Sequence, residues 1–577
     1  MVESISAPLK NGFAQFLILS RHFFHRFFQN DIVDFEDQMK EKVIGGMAFL
    51  GIFGVQIANT ILLKYNFLDE EGPSWVDKCY FLWLFMLLLG FIAIVEWDVI
   101  FPDRRDYLNI IPLPVRVRTF FLAKSASFFL FIGIFSAAAH TMASFSFGYF
   151  LTRFRSGSPL FMLRYMAAHL AAASAANIFI FFLCVFVQGL LMSLLSYRLY
   201  KSISLIVRFF LLTSIIILLI VSLTASVSIP QSFSNFPAMK ETQDRFLFAF
   251  PPMWFTGLYE YLLGNREPFF RTLSGCALGA LLASILAFFG TAAASYTRHL
   301  KRSLEVRRGR LNLKKVKDLF SRAFDSVFLR NPTQRAIFHF FGQTLWRSSL
   351  HKISLLNYLA VPSAFALIML GTTRLLRSEM TVSNRTLLAI PLVLSFFFLL
   401  GIRSLTNVPA SLEANWIFQI TERAPRRHYF AGLKKAIFFE ALIPLFFLLF
   451  IFNNYLWGWK PALLHGLYGI AASVLLLEIL FFRYPKVPFA CTFVPGKAKV
   501  HVYWLPYVFG FVIYASFLSS LERFLFANPR YFLNYFVICG ILFAASRLYQ
   551  ELGFYRRRPI LYHEEPEPVM ISLESPL

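Results

Sequence analysis

Long apolar segments alternate with short polar connections along the whole chain. A helix needs roughly 20 apolar residues to cross the hydrocarbon core of a bilayer. Segments of about that length lie at residues 44–63, 79–97, 125–149, 169–194, 206–228, 272–296, 353–371, 387–404, 436–455, 462–482, 502–520 and 531–550. The pattern therefore predicts an all-α polytopic membrane protein with about twelve transmembrane helices.

Two further stretches, residues 13–28 and 336–350, precede the first and the seventh apolar segments. Each is too polar to span a membrane and apolar enough to lie in its interface, so we expect two amphipathic lead-in helices. The whole pattern predicts five parts of the chain: a lead-in at 1–43, a first six-helix half at 44–296, a basic linker with the second lead-in at 297–352, a second six-helix half at 353–550 and a tail at 551–577.

Composition supports a membrane environment. Hydrophobic residues make up 57% of the 577 residues and charged residues 15%, whereas soluble proteins average about 25% charged residues. The five cysteines are isolated, which predicts neither a disulfide framework nor a metal cluster. Because a charged stretch precedes the first apolar segment, no cleaved signal peptide is expected.

The net charge of +24 comes from basic residues that lie between the apolar segments. This distribution favours orientation by the positive-inside rule, with attraction to anionic lipid, over nucleic-acid binding. Most of the 56 Lys and Arg residues fall in connections on the side of the two termini. We therefore predict a multi-pass protein of the plasma (inner) membrane with both termini in the cytoplasm.

An internal repeat appears when the sequence is shifted by 310 residues. Residues 108–130 then lie over residues 418–440 without a gap. The identical pairs are Ile110 and Ile420, Arg116 and Arg426, Phe120 and Phe430, Lys124 and Lys434, Ala126 and Ala436, Phe128 and Phe438, and Phe129 and Phe439. Since six helices return the chain to the same side, the halves are predicted to be parallel repeats about an axis along the membrane normal.

The repeated segment is charged and broken by proline in both halves. We expect each copy to form a loop between the second and third spans of its half, followed by a basic helix that enters the membrane. Basic residues at span ends also serve as interface anchors, but the recurrence favours two loops that dock the same kind of partner. The candidate docking residues are Asp106, Arg116, Arg118, Lys124, Glu422, Arg426 and Lys434.

No phosphate-binding loop, metalloprotease motif, serine-hydrolase motif or paired C-x-x-C occurs. The nearest fragment to a phosphate-binding loop, Pro495-Gly496-Lys497, lacks the first glycine. The sequence thus predicts a protein that is not itself an enzyme and binds no cofactor.

The segment from Asp106 to Lys124 resembles the cytoplasmic loop of the permease subunits of ATP-binding-cassette exporters of the type-2 kind, and residues 414–434 resemble it more weakly. Residues 251–255 resemble that family's external segment before its last helix. The likeness implies a six-helix unit led by an interfacial helix and a coupling helix that docks on an ATPase. It also implies a separate pair of ATP-binding-cassette ATPase subunits that hold ATP while this chain moves a substrate outward.

Two features depart from the family pattern. The family usually supplies one six-helix unit per chain, whereas here two units are fused. The second half also lacks a long external segment before its last span, so the halves are not expected to be functionally equal. Lipid, peptide and drug-like cargo are equally compatible with the sequence.

Polar residues inside the apolar segments are further candidates, because a buried ionisable group in a membrane is costly. Interhelical hydrogen bonding is the competing interpretation. These residues are His140, Asn177, Gln188, Glu440 and Glu478; the intramembrane candidates carried forward are His140, Asn177 and Glu478.

Two other functions stay open. A secondary transporter of the major-facilitator kind also has two parallel six-helix halves, although no G-x-x-x-D-R-x-G-R loop follows the second span and few acidic residues lie mid-membrane. A membrane scaffold, or an enzyme without a recognisable motif, is the third possibility.

Overall fold

The computed structural model describes most of the chain as helix. The described residues are 12–26, 39–68, 72–97, 115–152, 154, 158–224, 231–305, 324–375, 381–382, 384–410, 415–420, 426–491, 500–554 and 560–562. Within them there is no β-strand beyond an isolated bridge between Lys486 and Leu561, and 12 helices are long and apolar enough to cross a membrane. The prediction of an all-α, multi-pass membrane protein is confirmed.

The chain forms two compact units, Met1–Arg307 and Arg308–Leu577. The long helices of the first unit begin with a lead-in, α1, which spans Gly12–Arg26. The rest are α2 (Met39–Leu62, extended by a 3₁₀ turn at Leu63–Phe67), α3 (Ser74–Val95), α4 (Val117–Thr152), α5 (Pro159–Leu194) and α6 (Tyr197–Thr224). Short helices α7 (Gln231–Ser234), α8 (Phe236–Glu241), α9 (Arg245–Ala249) and α10 (Pro251–Leu262) then lead to α11 (Pro268–Glu305).

Helix α3 is the centre of the first unit. Of its most apolar window, 72% is buried inside the protein, the largest share of any span in this unit. Helix α3 packs against α5, α6 and α10. Around it, α4 packs against α2 and α5, and α11 packs against α5 and α10. Gly54 allows the close approach of α2 to α4, because a methyl group there would overlap the Ala139 carbonyl oxygen.

The second unit also begins with a lead-in, α12, at Pro332–Arg347. The first spans that follow are α13 (Ser349–Leu375) and α14 (Arg385–Leu405), then the short helix α15 (Asn415–Ile420). Helix α16 (Arg427–Ile437) continues through a π-helical turn at Phe438–Leu442 into α17 (Ile443–Trp457). The last spans are α18 (Trp459–Leu480), α19 (Val500–Ala527) and α20 (Phe532–Tyr549), which ends in a π-helical turn at Gln550–Phe554.

Four helix pairings of the first unit recur in the second. When the spans are numbered from one to six within each unit, span two packs against spans four and five in both units. Span four also packs against spans three and six. The second span of the second unit, α14, is again its most buried, at 67% of its window. The first spans differ: α2 lies mainly along α4, whereas α13 lies along α14, where Gly401 accommodates the ring of Tyr358.

Both predicted lead-in helices are present, and each packs on the base of the third span of its unit. In the first unit Leu19 and Phe23 of α1 bury Phe120 and Ala123 of α4. In the second unit α12 packs along α16 within the main apolar core. Helix α12 begins four residues earlier than expected, because the Asn331 side chain accepts hydrogen bonds from the amides of Thr333 and Gln334.

The third span of each unit starts earlier than its apolar run. The candidate spans begin at Arg118 and Arg427, whereas hydropathy predicts starts at 125 and 436. The reason is tertiary: residues 118–124 and 427–434 are helical because one face of each packs on a lead-in helix. A segment that is buried on one face forms a helix so that its backbone N–H and C=O groups are hydrogen-bonded, even where its sequence is basic.

The connections before the last spans are unequal. In the first unit, residues 231–262 form the four short helices α7 to α10, and α10 is largely buried against α3, α5 and α11. In the second unit, α19 and α20 are separated by Asn528 and a 3₁₀ turn at Pro529–Tyr531. The described residues thus agree with the expected difference between the halves.

Candidate functional site

The predicted docking residues fall into surface and internal groups. Asp106 and Glu422 lie outside the described residues. Arg116 and Arg118 are exposed where α4 begins. Arg426 precedes α16 and is half-buried. Three arginines therefore mark the bases of the two third spans at or near the surface.

The two lysines of the repeat are internal. Lys124 is 5% exposed, and its ammonium lies 5.3 Å from the centre of the Phe23 ring of α1. A cation over an aromatic face is attracted by the ring quadrupole, so Lys124 helps to hold the lead-in helix. Lys434 is 3% exposed and lies in an ion pair. Burial leaves both ammonium groups out of reach of a docking partner.

Lys434 and Glu478 belong to one polar network, although sequence reasoning treated them as separate candidates. Lys434 Nζ donates to a Glu478 carboxylate oxygen and, at 2.8 Å, to Gln550 Oε1. Gln550 Nε2 donates to Glu478 Oε2 at 3.0 Å, and Arg547 Nε lies 3.1 Å from Glu478 Oε1. The network therefore joins the third, fourth and sixth spans of the second unit.

The first unit contains a buried ion pair that sequence reasoning missed. Lys78 Nζ of α3 donates to Glu260 Oε1 of α10 at 2.6 Å, and the two side chains are 0% and 4% exposed. The same ammonium lies 3.3 Å from the Tyr165 hydroxyl and 5.2 Å from the centre of the Tyr259 ring. Burial raises the pKa of the Tyr259 phenol well above its ordinary value, and Tyr165 and Glu260 raise it further.

His140 and Asn177, which were predicted separately, lie in contact. The Asn177 side-chain amide donates to Ser136 Oγ at 2.9 Å and lies 3.1 Å from His140 Nε2. With the amide nitrogen as donor, Nε2 accepts, which corresponds to a neutral imidazole. The pair joins α4 to α5 in the core of the first unit.

His169 lies between this pair and the ion pair. Its ring centre is 5.5 Å from that of His140 and 5.5 Å from that of Tyr259, and it stacks on Phe147 at 4.9 Å. Neither ring nitrogen has a hydrogen-bond partner among the described residues. Most buried polar atoms are hydrogen-bonded, so a fully buried imidazole without partners marks a site able to bind a proton or a polar ligand group.

We define the polar core of the first unit by its polar side chains: Lys78, Glu260, Tyr165, Tyr259, His169, His140, Asn177 and Ser136. Only two of these residues were predicted. Lys78 and Glu260 lie 182 positions apart, and neither stands inside a predicted apolar segment. His169 is the first residue of its predicted segment, so it was read as a boundary position.

The remaining polar candidates have structural roles. Gln188 donates through Nε2 to the Trp97 carbonyl oxygen at 2.9 Å. The Glu440 carboxylate lies directly against Gly342 of α12, where a methyl group would overlap it. Gln188 therefore joins α5 to the end of α3 by a hydrogen bond, and Glu440 packs against α12.

The described ranges hold no clustered metal ligands and no disulfide bond. No group of three or more His, Cys, Asp or Glu residues there has the arrangement of a metal site. All five cysteines are described and none forms a disulfide bond; four are buried and Cys276 is exposed. The chain matches no protein-family model, no curated protein and no solved structure.

Proposed function

We propose that this chain is the permease of an ATP-driven exporter, with two parallel six-helix repeats fused in one polypeptide. A separate pair of ATP-binding-cassette ATPase subunits would bind and hydrolyse ATP. The chain would lie in the plasma (inner) membrane with both termini in the cytoplasm, where the ATPases act. Its role would be to form the pathway of a transported substrate, not to catalyse a reaction.

One observation carries the proposal. At the positions matched by the shift of 310 residues, both units pack a lead-in helix on the base of the third span. Phe120 and Phe430 are buried there, and Lys124 and Lys434 are internal. Arg116 and Arg426 lie just before these helices. A duplicated, rigidly supported basic segment is what two equivalent ATPase-docking loops require.

The packing also suggests how force would travel. An ATPase that pushes on the loop before α4 would move α1 with it, because α1 is held by Phe120, Ala123 and Lys124. In the second unit, the Lys434–Glu478 pair would pass movement of α16 to α18, and Gln550 would pass it to the end of α20. The loops would thus move whole helices rather than flex alone.

Charge reversal tests the docking role. We expect Arg116→Glu combined with Arg426→Glu to abolish co-purification with an ATP-binding-cassette ATPase encoded beside this chain and to abolish stimulation of that ATPase. Arg271→Glu combined with Arg530→Glu is the matched control, because both arginines are exposed at the beginning of sixth spans. If the first double variant kept full coupling, the loop assignment would be wrong.

A proton-driven secondary transporter is the second candidate, and His169 favours it. A buried imidazole without hydrogen-bond partners among the described residues, close to a Lys–Glu ion pair, is an ionisable group inside a membrane span and therefore a candidate for a functional role. Transport in vesicles distinguishes the two functions. Uptake that needs ATP and the ATPase supports the exporter, whereas uptake that follows a proton gradient without ATP and is lost in His169→Phe supports the secondary transporter.

A further inference from the structure

A groove opens on the surface of the second unit between α18 and α20. It has a volume of about 430 Å³ and is lined by Glu478, Ile479, Phe482, Ser546 and Tyr549. Helix α18 ends at Leu480 and α20 at Tyr549, so the groove lies at the ends of two spans. That is the level at which lipid head groups meet the hydrocarbon core.

Positive charge surrounds the polar end of the groove. Arg483 donates to the Tyr549 hydroxyl at 2.6 Å, and its guanidinium lies 5.3 Å from the centre of the Phe482 ring. Arg547 and Lys434 both contact the Glu478 carboxylate. One carboxylate therefore faces two cations, and Arg483 adds a third beside the groove.

Several donors remain for an anion. A guanidinium has five N–H groups in a planar fork that matches phosphate, and the Tyr549 contact uses one of those of Arg483. Ser546 Oγ accepts from Gln550 Nε2 at 3.0 Å, which leaves the Ser546 hydroxyl proton to donate into the groove. The described contacts thus provide both charge and directed hydrogen bonds.

The other wall of the groove is apolar and exposed. Ile479 is 69% exposed, Phe482 43% and Tyr549 51%. Leu548 and Leu552 of the sixth span are also exposed, at 60% and 52%. On a span of a membrane protein such residues face acyl chains, so the groove combines a cationic end with a lipid-facing wall.

We propose that this groove binds one anionic phospholipid, with its phosphate between Arg483 and Arg547 and an acyl chain along Ile479. Basic pockets between transmembrane helices are suited to acidic head groups. The lipid would bridge the fourth and sixth spans of the second unit beside the Lys434–Glu478 pair. The inference is independent of the exporter proposal, because lipid binding requires neither ATP nor an ATPase.

Native mass spectrometry of the full chain in detergent tests this site, with phosphatidylglycerol as the probe and phosphatidylcholine of the same acyl chains for comparison. We expect saturable binding of one phosphatidylglycerol molecule that is at least about tenfold tighter than that of phosphatidylcholine. Arg483→Gln should weaken it about tenfold, since a charge-assisted hydrogen bond contributes about 1.5 kcal/mol. Arg483→Lys, which keeps the charge without the fork, should give a smaller loss.

Arg530→Gln is the matched control. Arg530 is also exposed and stacks on a tyrosine, with its guanidinium 4.8 Å from the Tyr531 ring centre, at the other end of the sixth span. This variant should bind phosphatidylglycerol like the unchanged protein. An unchanged melting temperature of each variant shows that folding is intact.

Three outcomes would overturn the proposal. The first is an equal loss of binding in Arg530→Gln and Arg483→Gln, which would mean general surface attraction. The second is equal affinity for phosphatidylcholine. The third is equally tight binding of glycerol 3-phosphate alone, which would make the site one for a soluble phosphate.

Discussion

At the scale of single residues, the structure pairs charges that lie far apart in the sequence. Lys78 meets Glu260 and Lys434 meets Glu478, and all four side chains are at most 4% exposed. Removing one partner of such a pair leaves an uncompensated buried charge, which is more costly than removing both. The two pairs are therefore expected to be among the polar positions that are most sensitive to substitution.

The Lys78–Glu260 pair gives a direct prediction. We expect Glu260→Leu or Lys78→Met alone to lower the free energy of unfolding by about 3–5 kcal/mol, because each leaves the opposite charge buried. The double variant should lose less than either single variant. Unfolding in mixed micelles with increasing denaturing detergent measures these differences.

Lys240 and Glu267 provide the control, since they form an ion pair in the same unit with side chains 26% and 50% exposed. Lys240→Met should cost at most about 1 kcal/mol, as expected for a solvent-screened pair. Equal losses at Lys78 and Lys240 would contradict the assignment of a buried, strongly coupled pair.

At the scale of elements, the lead-in helices are integrated into their units. Sequence predicted where they occur from their mixed polar and aromatic composition, but not what covers their apolar faces. In the second unit the contact is close at Gly432, where an added methyl group would lie 2.7 Å from the Gln334 carbonyl oxygen. The matched position in the first unit is Leu122, which is 59% exposed, so the two contacts are not copies in detail.

Gly432→Ala tests this contact. We expect it to push α12 away from α16 and to destabilise the packed lead-in by about 1–3 kcal/mol, the usual cost of overpacking. Hydrogen exchange of the amides in Pro332–Arg347 should become faster. Gly466→Ala is the control, because no atom lies within 4 Å of a methyl group there; unchanged exchange in Gly432→Ala would disprove the close packing.

At the scale of the whole molecule, the two units use the same set of four helix pairings with unequal additions. The short helices α7 to α10 complete the polar core of the first unit, because α10 supplies Glu260 and Tyr259. In the second unit, the connection before the sixth span consists of Asn528 and a 3₁₀ turn. The buried network of Lys434, Glu478 and Gln550 lies instead at the ends of spans. The two units therefore share four helix pairings and differ in where their buried polar groups lie.

Orientation is testable by cysteine labelling in intact cells and inverted vesicles. In a variant with Cys276→Ser, we expect cysteines placed at Arg116 and Arg427 to react with an impermeant maleimide only from the cytoplasmic side. Cysteines at Arg271 and Arg530 should react only from the outside. All four arginines are exposed. A reversed pattern would refute the cytoplasmic location of the termini, and labelling of residues 116 and 427 from opposite sides would refute the parallel repeat.

The sequence by itself determined the number of spans, their approximate positions and the presence of the two lead-in helices, but not where every helix begins. Those features depend on local hydropathy and length, which neighbouring residues along the chain set together. It also identified His140, Asn177 and Glu478, because a polar group inside an apolar run stands out locally. Arg116 and Arg118 are exposed where α4 begins, and their docking role stays a prediction.

Only the tertiary structure decided which polar groups meet. The sequence predicts Lys434 as a docking-loop residue, whereas the packing of α16, α18 and α20 places it against Glu478. Lys78, Glu260 and His169 form one core although they come from three helices, and no local pattern marks them. Such contacts depend on how helices that are distant in the sequence pack together. A buried charge is stable only beside a partner that pairs or hydrogen-bonds with it, and the fold decides which residue is that partner.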